Sequence, residues 1–194
     1  MKKLSLLMLL VVVSVACRTA KTPQNNTSNT QNEIAVTFLH LNDVYEISPL
    51  DNGKIGGMAR VATVRQDLLK ENPNTITVLS GDFLSPSVIG TLRYEGKGIK
   101  GRQMVDVMNT VGVDWVCLGN HEFDLDQKDL QERINESKFN WLNTNALEKV
   151  KDEYVPFGKV VDGVKVPFLK TTILTFKNAK GNEVKVGMFG VLLP

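Results

Sequence analysis

Three short apolar runs constrain this 194-residue chain more than any other feature: "IAVTFLHL" (34–41), "TITVLS" (75–80) and "VDWVCLG" (113–119). Each is rich in β-branched and aromatic residues and reads as a buried strand. Helical spacing fills the gaps between them. "MARVATVRQDLLK" (58–70) follows the turn-rich "SPLDNGKIGG", repeats Met58, Val61, Val64 and Leu68 on one face, and stops before Pro73. "GRQMVDVMNTVG" (101–112) reads as a second helix, and "DQKDLQERINES" (126–137) as a third with Leu130 and Ile134 on one side. Shorter strands are expected at 139–143, 169–176 and 183–191. Strands alternating with helices predict an α/β fold whose apolar strands are covered on both faces. No internal repeat or second linker interrupts 33–194, a length suited to one domain.

In such sheets the functional loops lie beyond the carboxyl ends of the strands. Those ends carry one pattern three times: Asn42-Asp43, Gly81-Asp82, and Asn120-His121 within "GNHEFD" (119–124). Parallel neighbours would deliver these groups to one rim. Carboxylates converging without cations repel one another, and a bound divalent metal resolves the repulsion. Mixed oxygen and nitrogen donors suit Mn²⁺, Zn²⁺ or Fe rather than a thiolate site, and such ions neutralise a phosphoryl group in flight. The structural alternative is that Asp and Asn after a strand are ordinary turn formers, with Asp124 or Asp126 capping the 126–137 helix.

Several segments resemble the calcineurin-like metallophosphoesterases in their 5'-nucleotidase branch. "FLHLNDVYEI", "VLSGDFLSPS" and "LGNHEFD", in that order, look like the family's first three motifs, and "IGGMARVATVRQ" and "VGMFGVLLP" look like the branch. The resemblance implies a metallophosphoesterase-like α/β/β/α sandwich that hydrolyses phosphate monoesters, expected to be nucleotides, on two divalent metal ions. Residue by residue, Asp43 resembles a ligand of the first metal, Asp82 the carboxylate shared by both, and Asn120 a ligand of the second. His121 resembles the catalytic histidine and Asp124 its partner. Glu122 and Phe123 are read as packing and helix-start residues.

Two departures qualify that picture. Where the family commonly has Asp-x-His, this chain has Asp43-Val44-Tyr45, so Tyr45 is either a weak ligand or leaves a position open. The resemblance also implies later ligand histidines, including a Gly-His-x-His motif, and a C-terminal domain that grips the nucleoside. This sequence holds only His40 and His121. It is therefore expected to be the N-terminal part of a longer enzyme and to need that missing segment. The alternative is a catalytically incomplete exported lipoprotein that serves as a binding or surface protein on the same fold. His40, inside the first strand, is expected to be a packed or hydrogen-bonded core histidine.

The N-terminus bears on location rather than fold. "MKK" followed by "LSLLMLLVVVSV" reads as an export signal, too short for the ~20 residues of a spanning helix. Cys17 directly after Ala16 resembles the lipidation cysteine of bacterial lipoproteins; the alternative is plain cleavage after Ser14-Val15-Ala16. The expected organisation is a signal over 1–17, a flexible polar tether over 18–32 and the catalytic domain over 33–194. That would place the protein in the periplasm, or on the outer membrane or cell surface, held by its lipid. Cys117 is then the one remaining thiol, expected to be a strand residue rather than a nucleophile because nothing cationic adjoins it. Without Lys2 and Lys3 the 23 basic residues fall to 21, equal to the 21 acidic ones, which argues against a nucleic-acid partner.

Overall fold

The computed structural model describes residues 33–193. The expected signal, Cys17 and the tether lie outside the described residues, as does Pro194. The expected α/β architecture is present. Strands β1 (Thr37–Leu41), β2 (Thr75–Leu79), β5 (Trp115–Val116) and β6 (Asn140–Trp141) form a parallel sheet in the order β1-β2-β5-β6. Helices α1 (Met58–Glu71), α2 (Arg102–Val111) and α3 (Gln127–Glu136) make the three crossovers. Because the strand order never reverses, crossovers of one hand lay all three helices on one face. There α1 packs against α2, and α2 against α3.

The reasons for these elements are local. In α2, Met104, Val105, Met108 and Val111 form the apolar stripe and are all buried. Gly112, at φ 84°, takes the left-handed position that ends the helix, its N–H returning to the Met108 carbonyl. In α3, Asp126 supplies the N-cap by accepting from the Asp129 amide at 2.8 Å. The core between helices and sheet joins Leu79, Phe83, Leu118 and Ile134 to an aromatic group in which Trp141 stacks on Phe168 at 5.2 Å. Each such side chain contributes roughly 1.5–3 kcal/mol by leaving water.

Three expectations need correction. The strand at 113–119 shortens to Trp115–Val116, flanked by single ladder bonds from Asp114 N–H (to Thr77 O, 3.0 Å) and Cys117 N–H (to Leu79 O, 3.1 Å) before the chain turns at Gly119. Coverage on both faces is incomplete among the described residues. The antiparallel hairpin β11 (Thr171–Lys177) and β12 (Glu183–Phe189) reaches the second face through an edge contact between Phe38 and Phe176, yet Phe38 stays 43% exposed. His40 shares that open face. It is hydrogen-bonded to Ser80 Oγ at 2.8 Å as expected, but it is exposed rather than part of the core.

Three hairpins have no counterpart in the sequence reading: β3 (Arg93–Tyr94) with β4 (Lys97–Gly98), β7 (Leu147–Val150) with β8 (Glu153–Pro156), and β9 (Gly158–Val161) with β10 (Val164–Pro167). Two of them turn on dipeptides in which both residues have positive φ, Glu95-Gly96 and Asp162-Gly163. Asp-Gly between β-branched residues is a tight-hairpin signal that could have revealed the last of them.

Candidate metal and phosphate site

All three strand ends meet at the carboxyl edge of the parallel sheet. Adjacent parallel strands leave the sheet at the same level, so the Asp43 amide donates to Gly81 O at 3.3 Å and the Ser80 amide to Leu41 O at 2.8 Å. Asp43 (φ 53°) and Asp82 (φ 57°) both occupy the left-handed region, which costs a residue with a Cβ roughly 1–2 kcal/mol. Asp51, Asn52 and Asp162 take the same region at ordinary turns, so what sets Asp43 and Asp82 apart is their place at neighbouring strand ends.

Gly81 and Gly119 make this crossing possible. A Cβ on Gly81 would press into the Gly119 backbone. One on Gly119 would lie 2.7 Å from both Asp82 Cγ and Asp82 N, with Oδ1 nearer still. The two loops therefore touch backbone to backbone, and Asp82 Oδ1 accepts from the His121 amide at 2.7 Å.

Asn120, His121 and Asp124 lie on one short 3-10 turn, Asn120–Asp124. His121 Nδ1 faces Asp124 Oδ2 at 2.9 Å, and Ser85 Oγ donates to the same oxygen at 3.0 Å. That hydrogen bond to Asp124 raises the imidazole's pKa above its ordinary value, and the same contact lowers the carboxyl of Asp124. The carboxylate fixes the proton on Nδ1, leaving Nε2 as the working nitrogen.

Tyr45 stands with its ring edge-on to His121, centroids 6.0 Å apart, and donates its hydroxyl to Asp43 Oδ1 at 2.9 Å. Hydrogen bonds from the Asn42 side chain and then Tyr45 hold the Asp43 carboxyl below the usual range. Burial, then the bond to Asp43, pushes the phenol up to about 12. At neutral pH Tyr45 is a neutral hydrogen-bond donor.

The sequence reading missed Glu122. It is no mere helix-start residue: it is fully buried, and its carboxylate accepts four backbone N–H groups. Oε2 takes those of Gly119 (2.7 Å) and Asp82 (2.8 Å), and Oε1 those of Phe83 (2.9 Å) and Leu84 (3.2 Å). Burial drives its pKa up while the four donors oppose the rise. No strong local signal marked it: Glu122 stands beside the polar Asn120 and His121, and only its burial, which obliges a carboxylate to find donors, reveals the role. Phe123 is 43% exposed and meets Phe157 edge to face at 5.7 Å, a packing role as read. Cys117 is half-buried and its thiol is pushed up by burial, which fits an unreactive strand residue.

The donor set is compatible with hard divalent ions. Asp82 has committed only Oδ1 to a described partner, and Asn120 is exposed at the same rim. Among the described residues no three His, Cys, Asp or Glu side chains form a ready metal cluster, so this is an open oxygen-rich rim rather than a closed cage. Beside it a cleft of about 630 Å³ runs past Ser85, Ser87, Thr91, Lys100 and Asp124.

A profile described as calcineurin-like phosphoesterase matches residues 36–185. The chain belongs to that family. Among curated proteins, this calcineurin-like phosphoesterase is 30% identical to a human 5'-nucleotidase over 144 residues, 69% of this chain and 23% of that one. It is 28% identical to the trifunctional nucleotide phosphoesterase protein YfkN of Bacillus subtilis over 145 residues, 71% of this chain and 9% of that one. The NAD nucleotidase NadN of Haemophilus influenzae superimposes with a TM-score of 0.60 at 22% identity, covering 81% of this chain and 29% of that structure. A 5'-nucleotidase precursor from Thermus thermophilus gives 0.59 at 21%, covering 82% and 29%. These structures share the fold, and the chain spans well under a third of each of these relatives' length.

Proposed function

We propose that this domain takes part in metal-dependent hydrolysis of phosphate monoesters, nucleotides foremost, with Asp43, Asp82 and Asn120 as ligands of two divalent ions of the Mn, Zn or Fe type. The observation that carries the reading is the convergence of two left-handed aspartates and the His121–Asp124 pair at one sheet edge. Family membership and nucleotidase relatives supply the substrate class. When bound, the ions supply Lewis-acid charge for the phosphoryl oxygens.

The residues of this chain supply part of the rest. Asp124 holds His121 with its proton on Nδ1, which leaves Nε2 uncommitted to Asp124, and the raised pKa keeps the ring protonated further toward neutral pH. A protonated Nε2 can stabilise charge on the phosphate or give its proton to the departing alkoxide. Asn42 and then Tyr45 favour the ionised form of Asp43, and the Tyr45 hydroxyl helps to orient it. The cleft past Ser85 and Lys100 has the volume of a ligand pocket and would admit the leaving group.

The proposal extends to placement: a signal over 1–17, lipidation of Cys17, a tether over 18–32, and a catalytic domain outside the cytoplasm with no nucleic-acid partner. Phosphate release by the intact enzyme from a nucleoside monophosphate with Mn²⁺ present tests the chemistry. Activity should fall by orders of magnitude in His121→Ala with bound metal unchanged. Loss of metal in that variant would make His121 a ligand instead, and undiminished turnover would remove it from the mechanism.

A further inference from the structure

Glu122 belongs to neither the proposed ligands nor the proposed acid, yet it has the most complete set of hydrogen bonds in the region. Two loops leave the sheet at β2 and β5, and each gives up backbone partners as it departs. Asp82, Phe83 and Leu84 of the first loop and Gly119 of the second all turn their N–H groups onto this one carboxylate. Two donors per oxygen is the natural load of an ionised carboxylate, and no neutral side chain of that length offers four acceptor positions.

The circuit also closes on the proposed ligands. Glu122 accepts the amide of Asp82, Asp82 Oδ1 accepts the amide of His121, and His121 adjoins both Glu122 and Asn120 in the chain. Displacing Glu122 would free the Asp82 backbone and the Gly119–Asn120 turn together.

We propose that Glu122 is a positioning residue that locks Asp82 and Asn120 into one rigid unit, so that divalent-ion binding at that pair is coupled to the order of the Asp82–Leu84 loop. The proposal rests on the reading that Asp82 and Asn120 hold a divalent ion. A merely structural carboxylate would affect the melting temperature and nothing else. A positioning carboxylate sets ion affinity in the folded protein, and by reciprocity bound ion stabilises the loop.

The test titrates Mn²⁺ into the intact wild-type enzyme and its Glu122→Gln variant by calorimetry, well below the melting temperature, with circular dichroism as the check on folding. The amide can accept on one oxygen only, orphaning two of the four donors. Folded Glu122→Gln should bind Mn²⁺ at least tenfold more weakly, the range expected when a ligand's supporting partner is removed. Affinity within twofold of wild type, even with a lowered melting temperature, overturns the proposal. Should the variant not fold, hydrogen exchange of the wild type decides. Saturating Mn²⁺ should slow exchange of peptides covering 82–84 by tenfold or more relative to the hairpin at 171–189, and unchanged exchange overturns the coupling. A wild type that binds no Mn²⁺ refutes the metal-site reading itself. That outcome is distinct from equal binding by wild type and variant, which refutes only the role of Glu122.

Discussion

Gly119→Ala isolates the close approach of the two loops. Gly119 has φ −101° and ψ −179°, an extended conformation open to alanine, so no backbone strain accompanies the change. The whole effect is steric. The new methyl carbon would sit 2.7 Å from Asp82 Cγ and Asp82 N, where carbon contacts settle at about 3.5–4.0 Å. Roughly 1 Å of movement is needed, and the atoms in the way belong to Asp82 and to its bond with the His121 amide. Overpacking of this kind destabilises by about 1–3 kcal/mol. For a domain of this size that lowers the melting temperature by roughly 2–12 °C. The functional loss should be larger than the stability loss, because a displacement of about 1 Å at a reacting centre can reduce turnover about 100-fold. Thermal melts measure the first effect and turnover of the intact enzyme the second, with Mn²⁺ calorimetry on the same preparation reporting ion affinity. Wild-type ion affinity together with a wild-type melting temperature would show that the loops do not meet as described.

Other consequences are smaller and separable. Asp124→Asn removes the largest cause of the raised His121 pKa, so the His121 titration followed by NMR should move to lower pH, and any activity limb that needs the protonated ring should move down with it. Tyr45→His replaces a neutral donor with an imidazole lone pair and should tighten Mn²⁺ binding; weaker binding would mean that the hydroxyl bond to Asp43 matters more than an added ligand. Asp126→Ala deletes the α3 cap and should lower stability by about 1 kcal/mol, measured by urea denaturation, without altering ion affinity.

How much of this was legible beforehand depended on periodicity. The three main helices fall within a residue or so of where apolar spacing placed them, because α2 and α3 bury the stripes their sequences display. The rim was legible for a related reason. Parallel strands with short apolar cores must end together, so Asp43, Asp82 and Asn120 had to converge. What stayed hidden was set by long-range hydrogen bonding. Glu122 looks like a polar residue in a turn until the loop at 82–84 is brought against it, some forty positions away in sequence. The hairpins between 147 and 167 mix charged and apolar residues, and the Asp162-Gly163 turn is their one strong local signal. His40 was misplaced because a β-branched strand suggests two covered faces, whereas the hairpin β11–β12 covers only part of one.

Binding of a divalent ion by the strand-end carboxylates is the central requirement of the proposed chemistry. Mn²⁺ titration of the intact enzyme, wild type against Asp82→Asn, addresses this directly, since the substitution keeps shape and removes one negative charge. Wild type should bind Mn²⁺, and the folded variant should bind it at least tenfold more weakly, a difference of about 1.4 kcal/mol. Equal affinity in the two proteins would contradict the assignment of Asp82 and, with it, the metal site at this edge of the sheet.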